Sequence, residues 1–262
     1  MWSPPFSIAT VCLGAAVAAA LLYSGIAGSA PAALADLPVG DPVFSEPTRI
    51  DNDLFPVEPG TVKVFAGREG SRRVTIVETH LAETRDFAWR GTSVTCRIVS
   101  ELKFVAGKLV EQELGFFAQA DDGAVYAFGE TETGDDDDEP DDDDPDENET
   151  SGWVVGSAAP GDPEDTLEVV DPSLFMPVRP FAGDAWNPED YGPGLTATYT
   201  VRRHGARVRV PSGRYAGALR VVETSPGFSG AETKWFAPRA GMVKSSSRTE
   251  RLRLIATTQG AR

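Results

Sequence analysis

The stretch "QADDGAVYAF", Gln119 to Phe128, predicts how this chain folds. Asp122-Gly123 stands between two runs of apolar residues, and Asp-Gly is a strong signal for a hairpin because both residues tolerate the positive φ angles that a tight turn needs. Apolar residues recur with a period of two on both sides of the dipeptide. The stretch therefore indicates two antiparallel strands joined by a short turn.

The same alternation extends outward from this hairpin, before and after it in the chain. The apolar positions are Val74 and Ile76, then Val94, Cys96 and Ile98, then Val110, Leu114 and Phe116, and later Leu195, Ala197, Tyr199, Val201, Leu219, Val221, Trp235, Leu252 and Leu254. Past residue 35, the sequence shows no sustained helical stripe with caps. We therefore predict a mainly β protein with one antiparallel domain, interrupted by a long acidic and Pro/Gly-rich insertion from about 131 to 194.

The acidity of the chain is concentrated in this insertion. The formal net charge is -16, but residues 131 to 150 hold 13 acids and no base, so the rest has 40 - 13 = 27 acids against 24 bases, a net of -3. The run "GDDDDEPDDDDPDE" fails as a calcium loop because Pro140 or Asp142 occupies the sixth position, where a sharp bend needs glycine. Like charges and prolines predict a disordered acidic loop over 131–152, with weak divalent-cation binding as an alternative role.

The first 35 residues contain no charged side chain, and residues 8–22 are apolar or small. Together with the small residues Ala33 and Ala35, this pattern predicts a signal peptide over 1–35, or an uncleaved N-terminal anchor, and an extracytoplasmic location. Five prolines between residues 36 and 60 predict an extended lead-in over 36–54. The antiparallel β domain is then expected over 55–258.

Catalytic and metal-binding motifs are poorly matched. "GFSGA", residues 227–231, resembles a nucleophile elbow but carries Ala231 where glycine is required, in a turn-like neighbourhood rather than between a strand and a helix. The two histidines, His80 and His204, are far apart in sequence and have no nearby ligand motif. We therefore predict no catalytic residue, no metal and no cofactor, and the chain leans away from being an enzyme.

Four strand aromatics are the candidate ligand-binding residues: Phe116, Tyr126, Phe128 and Trp235. They could line an apolar cavity for a small molecule or lipid, but core packing is the competing interpretation because aromatic side chains suit a half-buried sheet.

The strand "VRRHGARVRV" contributes Arg202, Arg203, Arg207 and Arg209, with a turn predicted at His204-Gly205. A solvated outer face is the favoured interpretation, and an anion or the acidic loop is the alternative occupant. Because the chain is acidic overall, we predict no nucleic-acid partner.

Three longer strings carry a resemblance to known proteins. "FFAQADDGAVYAFGE" (116–130), "MPVRPFAGDAW" (176–186) and "ETKWFAPRAGMVK" (232–244) resemble, in the same order, three blocks of a group of uncharacterised exported bacterial proteins. The chain departs from that group at Ala120 and Ala124 and at the acidic run. The resemblance implies a single curved antiparallel sheet or a partly open barrel, similar to lipoprotein-carrier folds, without a known activity.

The sequence thus predicts an exported or cell-envelope β-domain without evident catalytic activity. A carrier or binder of an apolar small molecule or lipid in the concave sheet is the alternative. Contact with a membrane is expected only through an uncleaved N-terminal segment.

Overall fold

The computed structural model describes residues 35–37, 40–134, 151–190, 196–225 and 230–258. Nearly all of the predicted signal peptide, the acidic run at 135–150 and most of the "GFSGA" motif lie outside the described residues.

The described residues form fifteen strands. They are β1 (Ala35–Asp36), β2 (Val62–Glu69), β3 (Arg72–Trp89), β4 (Thr92–Val105), β5 (Lys108–Gln119), β6 (Val125–Gly134), β7 (Ser151–Val155), β8 (Leu167–Val169), β9 (Ser173–Met176), β10 (Asp184–Asp190), β11 (Thr196–Val210), β12 (Gly213–Thr224), β13 (Glu232–Ala237), β14 (Gly241–Ser246) and β15 (Glu250–Thr257).

All of these strands belong to one sheet, in the order β1-β10-β11-β12-β13-β14-β15-β2-β3-β4-β5-β6-β7-β8, with β9 paired to β6. Neighbours are antiparallel except for the short pairs β1/β10 and β7/β8, which are parallel. The mainly β prediction is confirmed, and the curved sheet is open because its ladder does not close. Among the residues that the structure describes, no helix is long and apolar enough to cross a membrane.

The two arms of the sheet approach each other at β9 and β10. The indole Nε1 of Trp186 donates a hydrogen bond to the carbonyl of Phe175 at 3.0 Å, and the backbone N–H of Asp190 donates to Ser173 Oγ at 2.9 Å. These contacts replace a backbone ladder at the seam, so the interior of the curve is enclosed without a closed ring of paired strands.

The predicted hairpin at Asp122-Gly123 is confirmed. β5 and β6 pair on either side of it, and Gly123 has a φ of 91° while its N–H donates to Ala120 O at 2.8 Å. A side chain at Gly123 would strain this turn, which explains why glycine follows Asp122.

The turn predicted at His204-Gly205 is wrong. Both residues lie inside β11, where the pairing with β12 shifts between Arg203 and Ala206, and Gly205 has a φ of 77°. Such an irregularity inserts residues into one strand without ending it, which local sequence signals do not distinguish from a turn. The chain reverses instead at Pro211-Ser212.

Other boundaries also differ from the prediction. The expected loop over 131–194 contains β7 to β10, and the range 131–152 has strand at both ends, because β6 runs to Gly134 and β7 begins at Ser151. The lead-in 36–54 packs on the domain: Ile50 bridges Val57, and the Phe44 ring lies 5.4 Å from that of Phe128. The sequence of these segments does not alternate between apolar and polar residues, because each segment is short or is buried on both faces. The boundaries could therefore not be predicted from periodicity.

Two hydrophobic clusters form the core. The first contains Phe87, Val99 and Phe128, and the second contains Val74 and Val105. On β3, Glu78 and His80 lie between Val74 and Phe87. A charged zone therefore separates the two clusters inside the curve of the sheet.

Candidate functional site: the charged interior of the sheet

Charged side chains occupy inward positions on eight strands of the run from β12 to β6, which in the sheet passes through β15 and β2. We call this set the charged belt; its members are Lys63, Glu69, Glu78, His80, Glu101, Lys103, Glu111, Glu113, Glu130, Glu132, Glu223, Glu232, Lys234 and Glu250. Most are buried, and Glu101 and Glu111 are half-buried. A charged side chain at this depth needs a partner, because moving an isolated charge out of water costs several kcal/mol. Removing one partner of a buried ion pair typically destabilises a protein by ~3–5 kcal/mol.

Strand register places four glutamates of the belt side by side. Glu78 on β3 faces Glu101 on β4, Glu101 faces Glu113 on β5, and Glu113 faces Glu132 on β6. We call these four residues the glutamate row. Adjacent strands lie ~4.8 Å apart, so the row spans roughly 14 Å. Like charges directly opposite each other destabilise a sheet, so the row must be offset by cations or protons.

One end of the glutamate row is offset by a cation and a histidine. Lys63 Nζ lies 2.8 Å from Glu78 Oε1, and His80 Nε2 lies 2.8 Å from the same oxygen. The backbone N–H of Glu58 donates to His80 Nδ1 at 3.1 Å, so Nε2 carries the ring proton and donates it to Glu78. Burial by itself would raise the pKa of Glu78, but Lys63 and His80 outweigh it and lower the pKa to about 2.

A second cation is held on β13. Lys234 Nζ lies 2.5 Å from Glu223 and 3.4 Å from Glu232, and it donates a hydrogen bond to the Tyr199 hydroxyl at 3.2 Å. Burial opposes the charge of Lys234, but the attraction of these groups keeps its pKa well above the usual value. Lys234 is therefore charged and serves as the counter-ion of Glu223 and Glu232.

In the middle of the belt Lys103 Nζ lies 3.8 Å from Glu111, but among the described residues no ion pair engages Glu101, Glu113 or Glu250. Burial, reinforced by neighbouring carboxylates, raises the pKa of Glu113 well above its usual value, and burial together with Glu78 and Glu111 does the same for Glu101. Burial, with Glu232, Glu69 and Glu111 nearby and only Lys103 opposing, raises the pKa of Glu250 to about 8. Oxygens of Glu113 and Glu250 are buried without a hydrogen-bond partner. The pKa of about 8 keeps Glu250 mostly protonated at neutral pH, and the pKa values of Glu101 and Glu113 are displaced in the same direction.

The belt as a whole holds more carboxyl groups than cations. Its described members supply ten glutamates against three lysines, and Arg72 contacts Glu69 from the exposed edge at 3.6 Å. Bound protons make up the difference where the pKa is raised. No group of three or more His, Cys, Asp or Glu side chains in the described part of the chain has a geometry that could hold a metal ion.

The structure brings three of the four predicted ligand-binding aromatics together. Phe116, Tyr126 and Phe128 are buried in the first cluster, where Phe128 lies 5.7 Å from Phe87 and 6.2 Å from Trp89. Burial, with the charge of Asp122, raises the pKa of Tyr126 to about 12, so its hydroxyl stays protonated.

Trp235 lies elsewhere. It is half-buried on β13, and its ring has Lys244 Nζ at 4.3 Å and Arg220 Cζ at 5.7 Å from the centroid. It alternates with Lys234 and Phe236, which point inward, so it lies on the opposite face of β13, where it also packs in part against the second cluster.

Sequence reasoning missed the charged belt, although a signal for it exists. On β4 the alternation Val99, Glu101, Lys103, Val105 keeps one phase, so the two charged residues share the inward face with two buried valines. The usual rule that charged residues face water hides this pattern. His80, for which no site was predicted, is part of the belt.

The chain has distant structural neighbours among known proteins but no match in sequence. No protein-family model matches the chain, and no curated protein matches it in sequence. Two solved structures align with 79% of this chain and 99% of their own: a candidate exported protein with a YmcC-like fold from Bacteroides fragilis (12% identity) and a candidate lipoprotein from Parabacteroides distasonis (11% identity), both at a TM-score of 0.37.

Proposed function

We propose that this chain is an exported or cell-envelope β-domain protein that acts without a catalytic step. The observation that carries the proposal is the state of the charged belt. Glu78 is engaged by Lys63 and His80, and Glu113, whose pKa is raised by burial, is 2% exposed. A catalytic acid or base must touch its substrate, and these two carboxyl groups are buried within the sheet.

Export is proposed from the uncharged, apolar N-terminal segment. Cell fractionation of the full chain with a C-terminal tag tests it, with mass spectrometry of the purified N-terminus. We expect the protein in the extracytoplasmic or membrane fraction. A purely cytosolic protein that retains residues 1–35 would contradict the proposal.

An apolar carrier function is less well supported by the packing. Phe44 places its ring 5.7 Å from Tyr126, 5.7 Å from Trp89 and 5.4 Å from Phe128, so the protein's own side chain covers the aromatic surface. We propose a core role for these rings. Native mass spectrometry of protein purified from its source checks this: a retained lipid would favour the carrier, and mass equal to the bare chain favours packing.

A further inference from the structure

The outer face of the sheet carries a line of cations that the proposed function does not use. Register aligns Arg203 on β11 with Arg220 on β12, Arg220 with Trp235 on β13, Trp235 with Lys244 on β14, and Lys244 with Arg253 on β15. We call these five residues the outer basic row. It crosses five consecutive strands and therefore spans roughly 19 Å.

The cations of this row face solvent without ionic partners. Arg203, Arg220 and Arg253 are exposed and Lys244 is half-buried. None of the four forms an ion pair with an acidic residue of the described ranges. Further exposed arginines lie on the same strands and on β2 and β3: Arg68, Arg73, Arg202, Arg207, Arg209, Arg214 and Arg251. The surface is thus strongly basic on a chain whose net charge is -16.

The row also presents apolar and aromatic surface at its centre and edge. Trp235 lies between the cations, and Lys244 Nζ is 4.3 Å from its ring. On β15, Arg251, Arg253 and Ile255 alternate with buried leucines, so Ile255, which is 39% exposed, adds an aliphatic side chain beside the row. Tryptophan flanked by basic side chains is typical of protein surfaces at the membrane–water interface.

We propose that the outer basic row docks on an anionic phospholipid bilayer surface. The cations are spread along a line rather than converging on a point, so one small anion cannot contact them all, whereas neighbouring headgroups can. Trp235 and Ile255 can also insert into the interfacial region of a bilayer. A soluble polyanion has no such apolar region for them to enter. This contact is separate from any contact of the N-terminal segment, and the proposal goes beyond export because it assigns a membrane-facing surface.

Vesicle co-sedimentation of the full chain tests this docking. The two vesicle types are phosphatidylcholine alone and phosphatidylcholine with about one third phosphatidylglycerol, at ~0.1 M and ~0.5 M salt. We expect preferential binding to the anionic vesicles at low salt, and loss of the preference at high salt. Because an apolar N-terminal segment would bind both vesicle types, the ratio between them isolates the electrostatic contact.

Matched variants locate the surface. The triple substitution Arg220→Gln, Lys244→Gln and Arg253→Gln should reduce the preference by roughly tenfold or more, since each basic residue near an anionic surface contributes ~1 kcal/mol. A control variant removes the same number of charges from exposed sites outside the row: Arg49→Gln, Lys108→Gln and Arg179→Gln. Its preference for anionic vesicles should equal that of the parent chain.

Equal loss in both triple variants, or no preference for anionic vesicles in the parent chain, would overturn the proposal. Capture by heparin without vesicle binding would do so too, since it would assign the surface to a soluble polyanion. Circular dichroism of each variant verifies that the sheet is retained.

Discussion

At the scale of single residues, the belt contains carboxyl groups whose pKa values are shifted in opposite directions. Glu78 has a lysine and a histidine on one oxygen, whereas Glu250 has mostly carboxylates around it. A carboxyl group whose pKa is lower in the folded state than in the unfolded state stabilises the protein at pH values above the unfolded-state pKa. A carboxyl group whose pKa is raised by folding makes the protein less stable as the pH increases. The two residues therefore make opposite predictions for substitution by glutamine.

Substitution Glu250→Gln should stabilise the protein at alkaline pH. The folded-state pKa of Glu250 is about 8 and its ordinary value 4.5, so native protein binds the extra proton between these values and loses stability as pH rises through that window. Glutamine stays neutral, so the unfolding free energy at pH ~8 should rise by up to about 4 kcal/mol, with little change near pH ~4. Urea denaturation at both pH values measures this. Equal destabilisation at both would contradict the burial argument.

Substitution Glu78→Gln should have the opposite effect. Its folded-state pKa of about 2 lies below 4.5, so the stability it contributes is present above pH ~4.5 and is lost as pH falls toward ~2. At pH ~7 the variant leaves Lys63 buried without its counter-ion, which should cost roughly 3–5 kcal/mol. Urea denaturation of the variant and the parent at pH ~7 and at acidic pH measures this effect. A variant as stable as the parent at neutral pH would show that the pair contributes nothing.

At the scale of strands, the pairing of β15 with β2 joins the end of the domain to its beginning. Gly67 on β2 faces Leu252, and a Cβ on Gly67 would lie 1.7 Å from the carbonyl oxygen of Arg251. The two backbones approach here more closely than any side chain allows. Glycine at this position is therefore required by packing.

Substitution Gly67→Ala should destabilise the fold by roughly 2–3 kcal/mol, because the strands must separate to admit the methyl group. Gly213→Ala is the matched control, since its added Cβ would meet nothing closer than the Tyr215 ring at 3.8 Å. Thermal unfolding of both variants gives the comparison. Similar losses for both would mean that glycine propensity, and not the close approach, explains the effect.

The strands that sequence could predict are those with one buried face. Tyr199 and Val201 alternate with outward residues over many positions, and the Asp122-Gly123 turn carries its own local signal. β9 could not be found this way, because all four of its residues are buried and no alternation exists. The charged belt was missed for a different reason: burial of Glu113 depends on partners from distant strands, which local pattern cannot reveal.

At the scale of the whole molecule, charge is segregated among three regions. The acidic run lies between β6 and β7 in sequence, the charged belt lies inside the sheet, and the outer basic row lies on its surface. Residues 135–149 contain 12 acids and no base, so removing them changes the net charge from -16 to -16 + 12 = -4. Most of the net acidity therefore belongs to the sequence between β6 and β7.

Replacement of residues 135–149 by a short Gly/Ser linker should leave the fold intact. Thr131 already pairs with Gly152, so the flanking strands stay in register, and shortening a loop changes closure entropy by less than about 1 kcal/mol. We expect an unchanged melting temperature, lower solubility, and loss of any weak calcium binding seen by calorimetry. Loss of cooperative unfolding would show that the run is part of the folded core.

The β2–β15 pairing also sets when folding can finish. β2 is the first long strand to be made and β15 is the last, so one edge of β2 keeps its backbone donors and acceptors unsatisfied until Glu250–Thr257 has emerged. Contacts between such distant segments form slowly, and an open strand edge favours aggregation in the interval. The long sheet can therefore be completed only after Glu250–Thr257 is available to pair with β2, so the two segments farthest apart among its long strands must meet last.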